Sequence, residues 1–275
     1  MNKFIVASLL TIASLLGTIN PATEVKADIV RLVAEDIVTQ KGHATVRIKS
    51  HGGSGVFVHT EKGKSLILSC AHLFMNLQTN QIDPKLLAKP MKIDCPWPEA
   101  GKPAALVNPK VVGYSTDMDL SLISIDYGPV PYVANVAPPL SPIEEKLRSF
   151  GHDEMRENSV NTHVKVLEVR GDFIYTRERP IPGRSGGPLL NSKGEVVGIC
   201  HGYEVAFNGR GIYIAHQSIV TFLENLGVWK ARRKFYNPEP RGKSKPRPKV
   251  MEESLPDQVY HRIYNTPPLC QPGGK

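Results

Sequence analysis

The sequence predicts an all-β protein, a barrel or a sandwich whose strands fall into two groups, followed by one helix. Between His43 and about Gly227, short β-prone runs alternate with Gly, Pro and Asn/Asp at a spacing of roughly 8–12 residues, which is typical of antiparallel β folds. The proline-rich segment 127–145 separates two groups of runs and is a natural linker. After the last run, apolar residues at helical spacing predict an α-helix that ends at Gly227.

The predicted strands are short apolar runs bounded by turn residues. The first group lies at 44–50, 54–60, 65–70, 91–95, 106–114 and 120–126, and the second at 163–169, 173–178, 188–191, 195–202 and 211–216. The helix follows at 216–227, where apolar residues recur every three or four positions. We therefore expect one folded domain at 43–229, with the two strand groups at about 43–130 and 145–215.

The first 27 residues have the pattern of an export signal. A basic start precedes the apolar run from Phe4 to Gly17, and Val25-Lys26-Ala27 offers the small-residue pattern of a cleavage site. The alternative is an uncleaved anchor helix, but the run is shorter than the ~20 residues that span a bilayer. We expect a signal at 1–27, a lead at 28–42, and a secreted or periplasmic protein without a membrane span after cleavage.

The basic charge lies in one segment. The net charge is +8, and between Lys230 and Lys249 nine Lys/Arg stand against the single acid Glu239, which accounts for all of it. This proline-rich composition buries too little surface to fold, so we expect a disordered tail at 230–275. Its charge predicts unspecific contact with anionic polymers, or else a solvated extension. No aromatic residues form a stacking platform, which argues against specific nucleic-acid binding.

Four cysteines, Cys70, Cys95, Cys200 and Cys270, remain after signal cleavage. In an exported chain an even count permits two disulfides with three connectivities, and free buried thiols are the alternative. The spacings fit no metal site and the histidines do not cluster, so the sequence predicts neither a metal nor another cofactor.

One serine has the surroundings of a nucleophile. Hydrolysis of an amide by nucleophilic attack needs an activated hydroxyl, a base, a group that orients the base, and donors for the oxyanion. Ser185 stands in Gly183-Arg184-Ser185-Gly186-Gly187, where glycines allow the backbone to turn sharply. The N–H groups of Gly183 and Ser185 can then point into one pocket. The alternative is an ordinary flexible turn before a strand.

A base and an orienting acid occur at the ends of two predicted strands. His72 follows the strand that ends at Cys70, and Asp119 directly precedes the apolar strand at 120–126. Asp117 is the nearby competitor for the role of Asp119. For each residue, a plain structural role is the alternative interpretation.

These motifs together resemble the trypsin/chymotrypsin-like serine peptidases, and most closely the compact bacterial, HtrA-like members. The matching stretches are GSGVFV (53–58), SCAH (69–72), DLSLI (119–123) and GRSGGPLL (183–190). The order His72, Asp119, Ser185 is the order of that family. The resemblance extends over about 43–227.

The resemblance implies two six-stranded antiparallel β-barrels with the active site in the cleft between them. Ser185 would attack the scissile carbonyl, His72 would carry the proton, Asp119 would fix the imidazole tautomer, and the N–H groups of Gly183 and Ser185 would bind the oxyanion. The implied activity is that of an exported serine endopeptidase acting on proteins or peptides. The alternative is a catalytically idle module of the same fold that binds partners.

The chain departs from the family pattern at two points. Trypsin-type enzymes have an aspartate directly before the serine, and here that residue is Arg184, so activation through that aspartate is not expected. HtrA-like proteins usually continue into a PDZ domain, and the 48 residues after Gly227 are too few for one. We therefore expect a compact peptidase without a PDZ domain.

By the same resemblance, six residues are expected around the primary specificity pocket: Arg179, Pro180, His201, Gly202, Tyr203 and Gly211. Arg179 and His201 there would favour an acidic substrate side chain through charge-assisted hydrogen bonds. The alternative is that Arg179 points to solvent and that His201 supports Asp119 or packs on the strand.

Overall fold

The computed structural model describes residues 32, 35–76, 78–95, 104–105, 108–204 and 209–228, with only the backbone at 104–105. The signal at 1–27 and the basic tail at 230–275 that the sequence predicts lie outside the described residues, as does Cys270. No helix among the described residues combines the length and the apolar character needed to cross a bilayer.

Strands make up most of the regular structure of the described chain, as predicted. The first half contains β1 (Thr45–Ile48), β2 (Gly53–Glu61), β3 (Lys64–Cys70), β4 (Met75–Asn76), β5 (Gln81–Ile82), β6 (Ile93–Cys95), β7 (Ala104–Ala105), β8 (Lys110–Ser115) and β9 (Leu120–Ile125). The second half contains β10 (Lys146–Gly151), β11 (Val160–Arg170), β12 (Phe173–Thr176), β13 (Pro188–Leu190), β14 (Val196–Glu204) and β15 (Arg210–Ala215). The helices are α1 at 35–42, α2 at Pro84–Ala88 and α3 at His216–Asn225.

The second half forms the closed six-stranded barrel that the family resemblance implied. Its strand order is β10-β11-β12-β15-β14-β13, and β13 returns to β10 with Leu190 opposite Arg148. Strand β10 was not among the predicted strands, because charged residues interrupt its apolar pattern, and it is the strand that closes this barrel. The predicted C-terminal helix is confirmed as α3. It buries Ile219 and Leu223 and is followed by Gly227 at φ +68°, a left-handed helix terminus.

The first half does not show the second six-stranded barrel. It is a seven-stranded antiparallel sheet in the order β7-β6-β1-β2-β3-β9-β8, and within the described residues its end strands β7 and β8 are not paired with each other. The difference arises because the run predicted as one strand at 106–114 begins only at Lys110, while a separate two-residue strand, β7, pairs with β6. That pairing extends one edge of the sheet instead of closing it.

The two halves pack against each other and leave a cleft between them. One hydrophobic core joins side chains of β2, β3 and β9 to Leu190, Ile199 and residues of α3, and a smaller core surrounds Tyr213 inside the closed barrel. The proline-rich segment contacts both halves, because Ala134 N–H donates to Phe57 O and Ala137 N–H donates to Val196 O. The end of β3 lies beside the start of β9, since Ala71 N–H donates to Asp119 O. The turn before β13 contacts the first half through Ser185 O, which accepts from Ser54 N–H.

Candidate active site

His72 and Asp119 are joined by two hydrogen bonds at the cleft. His72 begins a short 3₁₀ helix after β3, and its Nδ1 lies 2.8 Å from Asp119 Oδ2 while its own backbone N–H donates to Asp119 Oδ1 at 2.7 Å. The backbones are also joined, since Ala71 N–H donates to Asp119 O at 3.1 Å. The carboxylate thus fixes both the position of the histidine and the orientation of its ring. The competitor Asp117 is exposed.

Asp119 is itself tightly constrained. It closes a turn before β9 with φ +51°, a left-handed conformation that aspartate tolerates better than most residues, and it is 7% exposed. His201, at β14, brings Nδ1 within 2.5 Å of Asp119 Oδ2. Burial alone would raise the pKa of this carboxyl, but His72 and His201 hold it well below its usual range. Asp119 is therefore a permanent anion at neutral pH.

Cys70 contacts the far side of the His72 ring. Its Sγ lies 3.4 Å from Nε2, and burial raises the pKa of the thiol, so the group stays protonated at neutral pH. Cys70, His72 and Asp119 each offer one ligand atom, all within 4.8 Å of one another. However, Asp119 contacts Nδ1 and Cys70 contacts Nε2 of the same ring, an arrangement that suits proton transfer along the ring better than one shared ion. Cys70, Cys95 and Cys200 are free and buried, which is the second of the two interpretations that the sequence allowed.

Ser185 lies directly after a tight turn. Arg184 N–H donates to Ile181 O at 3.1 Å, with Pro182 and Gly183 at the central positions and Gly183 at φ +95°. Proline second and a positive φ third are the pattern of a type II turn. A Cβ on Gly183 would lie 2.3 Å from His152 O, so only glycine fits. Within the described residues, no protein acceptor takes the N–H of Gly183 or of Ser185.

Arg184, the departure from the family pattern, points away from the cleft into the closed barrel. Its Nε and NH2 donate to the two carboxylate oxygens of Asp153 at 2.7 and 2.6 Å, and the side chains are 3% and 6% exposed. NH1 lies 3.4 Å from Ser149 Oγ, which also accepts from Tyr213 OH. The buried bidentate ion pair of Arg184 and Asp153 therefore lies in the interior, next to residues 181–185, here called the nucleophile turn.

The cleft has a volume of about 540 Å³, and His72, Gly183 and Ser185 are among the residues that line it. Of the six predicted pocket residues, Pro180, His201, Gly202 and Tyr203 line it. Arg179 and Gly211 do not. Arg179 is exposed, with its guanidinium 3.6 Å from the centroid of the Tyr203 ring, and Gly211 packs against Thr176. The exposed Arg179 and the contact of His201 with Asp119 fit the alternative interpretation, and the substrate preference stays a prediction.

Several further residues of the site are not among those that the sequence predicts. Ser54 and Asp153 both contact the nucleophile turn. Lys89 also lines the cleft, and its Nζ donates to Ser50 O at 2.7 Å. Ser54 belongs to the matching stretch GSGVFV, but nothing in that stretch indicates a role for its hydroxyl, and an acid in a polar loop and an exposed lysine are both common. Their partners lie far along the chain.

Solved structures of other proteins share this fold. A serine-to-alanine mutant of Rv3671c from M. tuberculosis in an inactive form superposes with a TM-score of 0.53 at 18% identity, covering 70% of this chain and 90% of that one. The serine endoprotease from Yersinia pestis gives the same TM-score, 0.53, at 22% identity, covering 70% of this chain and 66% of that one. At these identities the likeness shows the fold alone, which is the fold of these two solved structures.

The family follows from sequence comparison. The model of the trypsin-like peptidase domain matches residues 53–199, just over half of the chain. The chain belongs to the trypsin-like peptidase family. A Synechocystis protein described as a serine protease, HhoB, is 30% identical over 137 residues, which are 46% of this chain and 33% of that protein. The chain thus matches about a third of the length of this curated relative, and the HtrA-like resemblance seen in the motifs is confirmed.

Proposed function

We propose that the protein is an exported serine endopeptidase that hydrolyses peptide bonds of protein or peptide substrates. The observation that carries the proposal is the paired contact of Asp119 with the ring and the backbone of His72, at 2.8 and 2.7 Å, in the same cleft as Ser185. Family membership supports the reaction class. A fold that has lost catalysis has no chemical need for this combination.

The proposed reaction moves a proton from Ser185 to His72 and then from His72 to the leaving group. Ser185 Oγ attacks the scissile carbonyl and gives its proton to His72 Nε2, while Asp119 stabilises the imidazolium through Nδ1–H. The N–H groups of Gly183 and Ser185 donate to the oxyanion. His72 then protonates the leaving amine, which leaves an acyl-enzyme on Ser185, and a water molecule attacks this ester by the same route. Each proton transfer is assigned to a protein group.

Export and domain organisation complete the proposal. The apolar run at Phe4 to Gly17 and the cleavage pattern that follows it support a signal at 1–27, with a mature chain that begins near Asp28 outside the cytoplasm. The peptidase domain is assigned to 43–229, and the basic segment 230–275 is a tail suited to anionic polymers.

Labelling with a fluorophosphonate tests the nucleophile. We expect the folded wild-type protein to be labelled and the Ser185→Ala variant not to be, because the probe phosphonylates only a hydroxyl that a base activates. Ser192→Ala removes an exposed serine seven positions further along and is the matched control. An unlabelled, folded wild type, or equal labelling of Ser185→Ala, would contradict the proposal and favour the idle binding module.

The pH dependence of activity tests the base. Burial opposes protonation of His72, but its contacts with Asp119 and Cys70 together raise the pKa of the ring well above 6.5. Since the base must be neutral to accept the serine proton, kcat/KM should fall as the pH drops through that raised pKa. We expect the acid limb of the kcat/KM profile, measured with an uncharged peptide substrate, to have its midpoint clearly above pH 6.5. A midpoint at or below 6.5 would contradict this assignment.

A further inference from the structure

We propose that Ser54 is a positioning residue, whose buried hydroxyl holds the turn at 181–185 with its N–H groups facing the cleft. The inference rests on the proposed peptidase function, because it concerns the donors that bind the oxyanion. It is carried by the hydrogen bonds of four consecutive carbonyl groups, those of Pro182, Gly183, Arg184 and Ser185.

Each of these four carbonyls has a donor. Pro182 O accepts from Glu154 N–H at 2.6 Å, and Arg184 O accepts from Gly187 N–H at 2.8 Å. The remaining two bonds both come from Ser54. Its hydroxyl donates to Gly183 O at 2.8 Å, and its backbone N–H donates to Ser185 O at 2.7 Å.

Because the peptide bond is planar, fixing a carbonyl group also fixes the direction of the N–H group of the next residue. In a trans peptide the C=O of one residue and the N–H of the next point in opposite directions. Holding Pro182 O against Glu154 therefore turns the Gly183 N–H the other way, and holding Arg184 O against Gly187 does the same for the Ser185 N–H. The peptide group between Gly183 and Arg184 connects these two peptide groups. The hydrogen bond from Ser54 to Gly183 O fixes the orientation of this connecting group.

The Ser54 hydroxyl has no alternative orientation. Its oxygen accepts from His152 N–H at 2.9 Å, and Gly183 O can only accept, so the hydroxyl proton must point to Gly183. Ser54 and His152 are both 0% exposed, so solvent does not compete for these hydrogen bonds. Ser69 Oγ in turn donates to Ser54 O at 2.7 Å. Strand β2 of the first half thus holds the nucleophile turn of the second half.

Ser54→Ala removes the hydroxyl and leaves the backbone contact to Ser185 in place. We expect kcat to fall by about 10- to 100-fold with KM nearly unchanged, a part of the roughly 10²–10³-fold that a missing oxyanion donor costs. Affinity for a peptide boronate, whose tetrahedral adduct needs the same donors, should fall by a similar factor. The affinity for a product peptide should stay constant.

Ser65→Ala is the matched control. Ser65 is also 0% exposed and its hydroxyl donates to a backbone carbonyl, that of Tyr127, at 2.8 Å, but it has no contact with the turn. We expect this variant to keep wild-type kcat and boronate affinity. Unchanged kcat and boronate affinity in Ser54→Ala, or an equal loss in Ser65→Ala, would overturn the inference.

A readout that needs no catalysis separates this inference from the proposed function. Amide hydrogen exchange over 181–187 should be faster in Ser54→Ala than in the wild type and in Ser65→Ala, because the turn loses an anchor. Equal exchange in all three proteins would overturn the role of Ser54 even if the wild type is active. A wild type without activity or fluorophosphonate labelling would instead refute the proposed peptidase, and the exchange comparison would still decide the role of Ser54.

Discussion

Asp119→Asn is expected to lower kcat by about four orders of magnitude at neutral pH, with little change in KM or in the fold. The carboxylate accepts from His72 Nδ1 at 2.8 Å and so keeps the second ring nitrogen, Nε2, free of a proton. An asparagine can present an N–H to Nδ1 and stabilise the opposite tautomer, in which Nε2 carries the proton. That tautomer cannot accept a proton from Ser185.

Asp117→Asn is the matched control for this substitution. The residue lies two positions away, before the same strand, and it is exposed. We expect it to keep kcat within about twofold, since exposed polar changes have small effects. Steady-state kinetics on one peptide substrate measure both variants. More than a tenth of wild-type kcat in Asp119→Asn, or the large loss in Asp117→Asn instead, would show that the acid has been misassigned.

The site residues that the sequence predicts are those whose neighbours along the chain form a recognisable pattern. Ser185 is surrounded by glycines, His72 follows an apolar strand and Asp119 precedes one, and each pattern can be recognised within about ten residues. The structure brings His72 and Asp119 into direct contact and Ser185 into the same cleft. The alternating apolar runs likewise predicted most strands and α3, because burial on one face leaves a period in the sequence.

The features that the sequence did not reveal depend on contacts across the fold. Ser54 reaches Gly183 over 129 positions and Asp153 reaches Arg184 over 31, and no spacing rule connects such pairs. The polar stretch around Asp153 is typical of an exposed loop, yet Asp153 is only 5% exposed because the barrel closes over it. The contact of the Arg179 guanidinium with the Tyr203 ring, 3.6 Å from its centroid, is another pairing that no local pattern predicts.

Asp153→Asn is expected to lower the free energy of unfolding by about 3–5 kcal/mol, the usual cost of removing one partner from a buried ion pair. Arg184 is 3% exposed and donates twice to this carboxylate, so neutralising Asp153 leaves a cation in the interior without its counter-charge. Urea denaturation, followed by circular dichroism, measures the change. Unfolding should remain a single transition, with its midpoint at lower urea concentration.

A neighbouring ion pair provides the control. Glu154 and Arg156 are joined at 2.8 Å, but their side chains are 61% and 70% exposed, so Glu154→Gln should change the unfolding free energy by less than about 1 kcal/mol. The backbone N–H of residue 154, which donates to Pro182, is unaffected by that change. If Asp153→Asn costs no more than Glu154→Gln, the buried pair does not stabilise the barrel.

The double variant Arg184→Met/Asp153→Leu separates the effect of the ion pair on stability from its effect on the geometry of the turn at 181–185. Replacing both partners of a buried pair by apolar residues is often neutral or stabilising, so this protein should regain most of the stability that Asp153→Asn loses. Its kcat tests what the pair does for the turn. Because Pro182 and Gly183 are held by Glu154 and Ser54 rather than by Arg184, we expect kcat to stay within about tenfold of wild type. A larger loss at restored stability would mean that the guanidinium itself orients the residues on either side of it, Gly183 and Ser185.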